Sequence, residues 1–429
     1  MIDINIIRTN RKLVEDNLKK KYQEQKLPLL DEIIELDRQV RELKVNGDNL
    51  RQERNKTSDE IGLLYRDKKI EEANAKKERV KEINNQLVNI EKDEEKMSVK
   101  LKELMMNIPQ IIDDSVPLGK DDSENVEIEK FGEPVVPNYE IPYHADILEN
   151  ISGLDKDASG RTSGNGFYYL MGEAARLSSA MLSYARDFMI DKGFTYCIPP
   201  FMIRSNVVSG VMSFAEMENM MYKIEGEDLF LIGTSEHSMI GKFKDQIVKE
   251  SSLPITMTSY SPCFRKEVGA HGIEERGIYR VHQFEKQEMI VICKHEEAMD
   301  WYNKMWSYTV ELFRNMDIPV RTLECCSGDL ADLKVKSCDI EAWSPRQQKY
   351  FEVGSCSTLG DAQARRLGIR AKGENGTYYL DTLNNTVLAN TRALIALIEN
   401  NYNEDGSINI PKVLRPYMGG KEVIIPTKR

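Results

Sequence analysis

The stretch FRKEVGAHGIEERGIYRVHQFEKQEM, residues 264–289, consists of two strand-like segments on either side of a glycine-bearing loop. Successive side chains of a strand point to opposite faces, so Arg265 and Glu267 share one face of the first segment. By the same rule, one face of the returning segment carries Arg280, His282, Phe284, Lys286 and Glu288. If the two segments pair as an antiparallel hairpin, the arginines, the phenylalanine and the glutamates face one side of a sheet.

Further strand-like runs surround this hairpin and favour an antiparallel sheet. They are DLFLIGTSE (228–236), PITMTSYSPCFRKE (254–267), YFEVGSCS (350–357) and TYYLDTLNN (377–385). Helices are predicted for ARLSSAMLSYARDFMIDKG (175–193) and NTRALIALIENNY (390–402). Several strands lie close together without a helix between each pair, and neither GxxxxGK[ST] nor GxGxxG occurs. We therefore predict an α+β fold in which helices flank an antiparallel sheet, rather than a doubly wound fold.

Residues 1–108 form a different region, which is highly charged and carries two heptad series. The first series runs through Leu29, Ile33, Leu36, Val40, Leu43, Gly47, Leu50, Arg54, Thr57, Ile61 and Leu64. The second runs through Ala73, Lys76, Val80, Ile83, Leu87, Ile90, Glu94, Met97, Leu101, Leu104 and Ile108. Alternating steps of four and three indicate coiled-coil helices, and the short polar connection between them indicates antiparallel packing. Each helix of about 36 residues would span roughly 54 Å.

The chain is thus divided into three parts. Residues 1–108 are a helical hairpin arm, residues 109–145 are a linker rich in proline, aspartate and glycine, and residues 146–429 are a globular domain. The arm can serve either as a dimerisation coiled coil or as an extended surface whose lysines and arginines meet the phosphates of a large partner. Both interpretations stay open at this point.

Composition limits the classes of function. The formal net charge of −11 argues against a general electrostatic affinity for nucleic acid, although it allows local basic surfaces. The seven cysteines include no pair with metal-site spacing, so we expect reduced thiols in a cytoplasmic protein. We find no apolar run of about 18 residues and no signal-peptide core, and therefore expect no membrane span.

The charged hairpin suits a nucleoside triphosphate that is bound without a phosphate loop. Arginines neutralise phosphates with two hydrogen bonds, Phe284 can stack on a base, and a glutamate can accept from an amine. Glu352 and Ser355, at the end of FEVGSC, can hold Mg²⁺ between phosphates, and Arg392 at a helix start can reach a terminal phosphate. The alternative is a set of ordinary surface salt bridges and solvated charges.

These motifs resemble those of class II aminoacyl-tRNA synthetases. FRKE…RGIYRVHQFEKQEM is similar to the second signature motif of that class. NNTVLANTRALIALIENNYNEDGSINIPKVLRPYMGG resembles the third motif and the C-terminal tail of the seryl-tRNA synthetase family, and GTSEH, FEVGSCSTLGDAQARRLGIR and the arm are similar to the same family. GFTYCIPPFMI resembles the first motif, which forms a dimer interface. The resemblance covers nearly the whole chain.

The resemblance implies a role for each matching residue. Arg265 would contact the α-phosphate and the serine carboxylate, and it would be catalytic together with Glu288 and Arg392. The implied ATP site comprises Arg265, Glu267, Arg280, Val281, Phe284, Glu352, Ser355 and Arg392. The implied serine site comprises Thr234, Glu236, Arg265, Glu288, Asn384 and Thr386. Mg²⁺ would be held by Glu352 and Ser355.

The implied reaction is activation of L-serine with ATP to seryl-adenylate, followed by transfer to the 3′ end of tRNA(Ser), with tRNA(Sec) as a further candidate. A homodimer is implied by the first motif. Three residues near the pocket, Thr358, Asn385 and Val387, differ from the usual family pattern and could alter the size of the pocket. Two alternatives remain: a paralogue that charges another acceptor, and a non-catalytic binding protein.

Overall fold

The computed structural model describes residues 1–267 and 277–427. These residues fall into two compact units: a smaller unit of residues 2–109 and a larger unit of Met1 together with the described residues from 110 onward. The glycine-bearing loop of the predicted hairpin, including Arg276, lies outside the described residues.

The smaller unit is helical. Its α-helices are α1 (Ile4–Thr9), α2 (Arg11–Lys20), α3 (Leu27–Arg66) and α4 (Ile70–Met105). Ion pairs between α3 and α4 join Glu32 to Lys100 at 2.5 Å, Arg51 to Glu91 at 3.0 Å and Glu60 to Lys76 at 2.5 Å. Because the residue number on α4 falls as that on α3 rises, the helices are antiparallel, as the heptads predict. The 40 residues of α3 span about 60 Å.

The predicted seam is the buried face of this helix pair. Its buried positions on both helices are Ile33, Leu36, Val40, Gly47, Thr57, Ala73, Ile83 and Leu87. Heptad positions without a large apolar side chain, such as Gly47 and Arg54, do not interrupt α3, which continues through both. Apolar burial at steps of three and four therefore holds the two helices together, and their other faces remain charged and exposed.

The larger unit is built on an eight-stranded sheet with the order β1-β10-β11-β12-β15-β9-β8-β4. Its strands are β1 (Val126–Phe131), β4 (Thr195–Cys197), β8 (Ile255–Phe264), β9 (Gln283–Cys293), β10 (Val320–Glu324), β11 (Lys336–Ser344), β12 (Lys349–Thr358) and β15 (Asp381–Ala389). All neighbouring strands run antiparallel except β4 and β8, which are parallel. The predicted α+β class with a mainly antiparallel sheet is confirmed.

Shorter strands and helices complete this unit. The strands are β2 (Leu154–Asp155), β3 (Tyr169–Leu170), β5 (Met202–Ile203), β6 (Phe230–Leu231), β7 (Ile247–Lys249), β13 (Arg370–Gly373), β14 (Gly376–Tyr379), β16 (Ile408–Asn409) and β17 (Val423–Ile424). The helices are α5 (His144–Asn150), α6 (Lys156–Thr162), α7 (Gly172–Asp191), α8 (Ser205–Val211), α9 (Phe214–Met220), α10 (Ser235–Gly241), α11 (Ala298–Asn315), α12 (Ala362–Leu367) and α13 (Asn390–Asn400).

The main core lies between the sheet and helices α5, α7, α11 and α13. Leu177, Phe313 and Leu394 are fully buried there, together with the inward side chains of β9, β11 and β12. This apolar contact holds the central strands in place, and β9, β11, β12 and β15 contribute polar residues to one cavity. Among the described residues, no helix is long and apolar enough to cross a membrane.

The segment 109–145, expected to be a linker, contributes an edge strand to the sheet. Strand β1 pairs antiparallel with β10, from Val126 opposite Glu324 to Phe131 opposite Val320. Five of its six residues are exposed, so burial of an apolar face does not hold this strand in place. It is defined by backbone hydrogen bonds to β10. These bonds cannot be predicted from the sequence of the segment itself.

Candidate active site

Every residue that the sequence singled out for binding lines one cavity of about 410 Å³ in the larger unit. These residues are Thr234, Glu236, Arg265, Glu267, Arg280, Val281, Phe284, Glu288, Glu352, Ser355, Asn384, Thr386 and Arg392. They come from β9, β12 and β15, from the starts of α10 and α13, and from the chain that joins β8 to β9. A volume of this size suits a nucleotide-sized ligand.

The β8–β9 hairpin places Arg265 at the cavity. The strands pair from Ile255 opposite Ile292 to Phe264 opposite Gln283. Beyond the strands, the Arg265 backbone N–H donates to the His282 carbonyl at 2.9 Å. The guanidinium of Arg265 lies 5.3 Å from the centre of the Phe284 ring, and its Nε donates to the Gly233 carbonyl at 3.3 Å. The arginine is therefore fixed by stacking and by a backbone contact.

The alternation predicted for the returning segment is correct only from Phe284 onward. Strand β9 begins at Gln283, so Arg280 and His282 precede it and do not follow its alternation. Arg280 still reaches the cavity, where its guanidinium pairs with Glu267 at 3.2 Å. His282 was predicted to share this face but lies outside the cavity lining, where its Nδ1 is 3.1 Å from the Tyr222 hydroxyl.

A second ion pair of the cavity joins Arg392 and Glu352. The guanidinium of Arg392 donates to the Glu352 carboxylate at 2.7 Å and to its backbone carbonyl at 3.2 Å. Its centre lies 4.6 Å from the centre of the Tyr279 ring. Burial by itself would raise the pKa of Glu352, but the positive charges of Arg392 and Arg265 outweigh it and hold the pKa below its ordinary value.

Asp339 joins this cluster, although no motif in the sequence indicated it. Asp339 on β11 is the antiparallel partner of Ser355 on β12. Burial and the nearby negative charge of Glu352 raise the pKa of Asp339 to about 7. The carboxylates of Asp339 and Glu352 and the hydroxyl of Ser355 are the oxygen donors that a hard cation such as Mg²⁺ prefers. The donor set therefore fits the cation that the sequence predicted.

The other end of the cavity combines a buried ion pair with small polar groups. Thr386 on β15 faces Glu288 on β9 as its antiparallel partner. Glu288 is 1% exposed and forms an ion pair with the ammonium of Lys286, which is 5% exposed. Lys286 lies on the predicted strand face, but the sequence suggested no role for it. Its charge neutralises Glu288 within the cavity.

Glu236 is the second carboxylate at this end. Thr234 caps α10 by accepting a hydrogen bond from the Glu236 backbone N–H at 3.3 Å. Burial is the main cause that raises the pKa of Glu236 to about 7, and the negative charge of Glu288 adds to it. Gln363 donates to the carboxylate at 2.8 Å. A cationic ligand group would restore the ionised form of Glu236.

Thr358, Asn385 and Val387, which differ from the usual family pattern, do not line the cavity. Val387 and Asn385 are fully buried, and Thr358 is 2% exposed. Val387 occupies an irregularity between Thr386 and Leu388 in the β15–β9 register and packs into the main core. The amide of Asn385 donates to the Met305 carbonyl at 2.7 Å and to the Thr309 hydroxyl at 2.9 Å, both on α11. None of these side chains occupies ligand space directly.

Comparison with known proteins places the chain in a family. Residues 1–112 match the family model described as the seryl-tRNA synthetase N-terminal domain. Residues 220–401 match the tRNA synthetase class II core domain (G, H, P, S and T). A serine–tRNA ligase of Methanoculleus marisnigri is 38% identical over 99% of this chain and 100% of its own length. The chain belongs to the seryl-tRNA synthetase family.

Other relatives and solved structures agree with this membership. A serine–tRNA ligase of Thermococcus sibiricus is 40% identical and is covered over 99% of its length by this entire chain. The seryl-tRNA synthetase of Pyrococcus horikoshii complexed with ATP superposes with a TM-score of 0.91 at 38% identity, with both chains fully covered. The cytoplasmic enzyme of Naegleria fowleri in complex with AMP has a TM-score of 0.86 at 28% identity. The class II resemblance seen in the motifs is thereby confirmed.

Proposed function

We propose that this member of the seryl-tRNA synthetase family activates L-serine with ATP and transfers the seryl group to the 3′ end of tRNA(Ser). The observation that carries the proposal is the single cavity lined by all the residues that the motifs singled out. One end of the cavity offers arginines and an aromatic ring, which suit a nucleotide. The other end offers carboxylates and threonines, which suit a small amino acid with a hydroxyl.

ATP is the substrate at the arginine end. Phe284 stacks on the adenine. Glu267 accepts a hydrogen bond from the adenine amine, and the backbone around Val281 borders that amine. Arg280 and Arg392 bind the outer phosphates, and each now pairs with a carboxylate, at 3.2 Å and 2.7 Å respectively. Entry of the triphosphate exchanges these carboxylates for phosphate oxygens. Arginine suits this exchange because its planar fork bonds either anion with two donors.

Glu352 and Ser355, with Asp339 beside them, are the residues that would hold Mg²⁺. When bound there, the cation supplies positive charge that neutralises the phosphates. The Mg²⁺ site also explains why Asp339 and Glu352 are tolerated so close together: a divalent cation compensates two like charges that burial would otherwise penalise.

Serine binds at the carboxylate end, with Thr234, Asn384 and Thr386 around it. Lys286 already neutralises Glu288, which leaves Glu236 as the carboxylate whose charge balances the serine ammonium. Glu288 and Thr386 lie opposite each other and bond the serine hydroxyl. Alanine would leave these polar groups unpaired, so we expect it to be rejected by about 10⁴.

The reaction needs alignment and charge neutralisation more than a proton shuttle. A serine carboxylate oxygen attacks the α-phosphorus of ATP, the bond to the bridging oxygen breaks, and pyrophosphate leaves. Arg265 contacts both the α-phosphate and the serine carboxylate, so it aligns the two reactants and stabilises the charge that develops. A 3′-terminal hydroxyl of the tRNA then attacks the adenylate carbonyl, and AMP leaves.

The acid side of the pH profile should report Glu236. Because its pKa lies at about 7, acidification protonates the carboxylate and removes the partner of the serine ammonium. We expect kcat/KM for serine to fall about tenfold per pH unit below this pKa, while kcat at saturating serine changes much less. Glu236→Gln should raise the KM for serine and abolish the acid limb. An unchanged limb in that variant would contradict the assignment.

The helical arm is proposed to bind tRNA(Ser), with tRNA(Sec) as a candidate second substrate. The support is the match of residues 1–112 to the seryl-tRNA synthetase N-terminal domain, together with the exposed lysines and arginines of α3 and α4. Charging of purified tRNA(Sec) tests the second substrate directly.

The cytoplasm is the proposed location, consistent with seven cysteines that are all unpaired.

A homodimer is proposed through the segment around β4 and β5. Ile198 is 70% exposed and Met202 is 45% exposed, and both border an apolar groove of about 430 Å³ with Pro199 and Pro200. An exposed apolar surface of this kind is typical of a buried interface. We expect the mass of a dimer by light scattering and a monomer for Ile198→Asp, whereas Ile425→Asp, at an exposed site elsewhere, should leave the dimer intact. A monomeric wild-type protein would contradict the proposal.

Amino-acid-dependent ATP–pyrophosphate exchange with all twenty amino acids tests the proposed function. Exchange with serine, followed by charging of total tRNA with serine, is the expected result. Exchange with serine but no charging of tRNA would indicate a paralogue with another acceptor. No exchange with any amino acid would indicate a binding protein and would overturn the proposal.

A further inference from the structure

A buried glutamine outside the cavity lining is hydrogen-bonded to Glu236, the carboxylate proposed to bind the serine ammonium. Gln363 belongs to α12, is completely buried, and donates from Nε2 to Oε1 of Glu236 at 2.8 Å. The two residues are 127 positions apart in the chain. The family resemblance of the surrounding motif implied no role for Gln363.

The orientation of the Gln363 amide is determined by its other partners. Nε2 also donates to the Val211 carbonyl at 3.1 Å, and a carbonyl can only accept. On the opposite side, Oε1 accepts from the Thr382 hydroxyl at 2.7 Å. Both amide hydrogens and the amide oxygen are therefore used, and rotating the amide by 180° would lose these bonds. Gln363 presents a fixed donor to Glu236.

We infer that Gln363 is a positioning residue for serine recognition: it holds one oxygen of Glu236 through a fixed hydrogen bond, so that the other oxygen receives the serine ammonium. The inference rests on the proposed function, in which Glu236 binds that ammonium. Thr382 acts one step further out, because its hydroxyl orients the amide of Gln363.

The charges around Glu236 make this bond significant. Glu288 and Lys286 approach from β9, Lys334 lies on the connection before β11, and Gln363 approaches from α12. Burial and Glu288 favour the neutral acid, whereas Gln363, Lys286 and Lys334 favour the carboxylate. Loss of the Gln363 bond should therefore make Glu236 harder to ionise, in addition to releasing its side chain.

The test compares Gln363→Met with the wild-type enzyme in serine-dependent ATP–pyrophosphate exchange. Methionine nearly preserves the volume but cannot donate a hydrogen bond. We expect the KM for serine to rise about tenfold, which is the loss typical of a hydrogen bond to a charged group, while the KM for ATP stays unchanged. The acid limb of kcat/KM for serine should move to higher pH, an effect that a purely packing role would not produce.

Three further variants keep the inference falsifiable. Thr382→Val should raise the KM for serine in the same direction but less, and Thr382→Ser, which retains the hydroxyl, should restore the wild-type value. Arg365→Ala on the same helix, whose side chain pairs with Asp361 outside the cavity lining, should leave the KM for serine unchanged. If Gln363→Met does not fold, the comparison of Thr382→Val with Thr382→Ser tests the positioning role of Gln363.

The outcomes separate this inference from the proposed function. A normal KM for serine and a normal acid limb in Gln363→Met would overturn the positioning role, even if the variant is less stable. Wild-type protein without serine-dependent exchange, or Glu236→Gln with an unchanged KM for serine, would overturn the proposed serine site itself, and the inference with it.

Discussion

Replacing Arg265 with alanine is expected to lower the rate of serine-dependent ATP–pyrophosphate exchange by about 10³, the loss typical of removing a preorganised donor from a developing charge. Arg265 is the residue proposed to contact both reactants, so its loss removes alignment and charge stabilisation at once. The guanidinium is held against the Phe284 ring at 5.3 Å and by the Gly233 carbonyl at 3.3 Å. The loss should appear in kcat and also as a higher KM for serine, because the guanidinium is proposed to contact the serine carboxylate.

Two comparisons make the Arg265 experiment specific. Arg265→Lys keeps the charge but loses the planar fork, so we expect an intermediate rate. Arg321→Ala removes an arginine of the same sheet that pairs with Glu341 at 2.6 Å outside the cavity lining, and its exchange rate should stay near that of the wild type. If Arg265→Ala exchanges as fast as Arg321→Ala, Arg265 does not contact the reacting groups.

Charge reversal on the arm should separate tRNA charging from serine activation. We expect the triple variant Lys56→Glu, Lys68→Glu and Lys77→Glu to raise the KM for tRNA by about 100-fold at moderate salt, because each exposed lysine can neutralise a phosphate. ATP–pyrophosphate exchange should remain at the wild-type rate, since all residues of the cavity belong to the larger unit. Steady-state charging and exchange measured on the same preparation check both expectations.

The control for the arm reverses lysine charges on another exposed surface. Lys130→Glu with Lys372→Glu changes two exposed lysines of the larger unit and should alter the KM for tRNA far less. The salt dependence should also become weaker in the arm variant, because fewer counterions are released on binding. An equal loss of tRNA charging and of ATP–pyrophosphate exchange in the arm variant would refute the assignment of tRNA binding to the arm and of serine activation to the larger unit.

Local periodicity alone was enough to predict the helical arm and one strand of the site. Heptad steps depend on residues three or four apart, so Ile33, Leu36 and Val40 could be assigned to a buried seam directly. Alternation depends on residues two apart, so Phe284 and Glu288 could be assigned to one face of β9. The motifs, with their resemblance to a family, added Glu352 and Arg392, which lie far apart in the chain.

The remaining features were decided by contacts between distant segments. Strand β1 exists because β10 offers it a backbone edge, although its own side chains are exposed. Asp339 belongs to the proposed cation site only because the β11–β12 register puts it opposite Ser355. Gln363 and Glu236 meet across 127 residues of chain. The register of paired strands and the packing of helices on the sheet create such contacts. They cannot be predicted from a pattern of residues that are close together in the sequence. The sequence by itself thus determined the arm, the fold class and the proposed ligand-binding residues, whereas tertiary structure decided which charges pair and which side chains hold them in place.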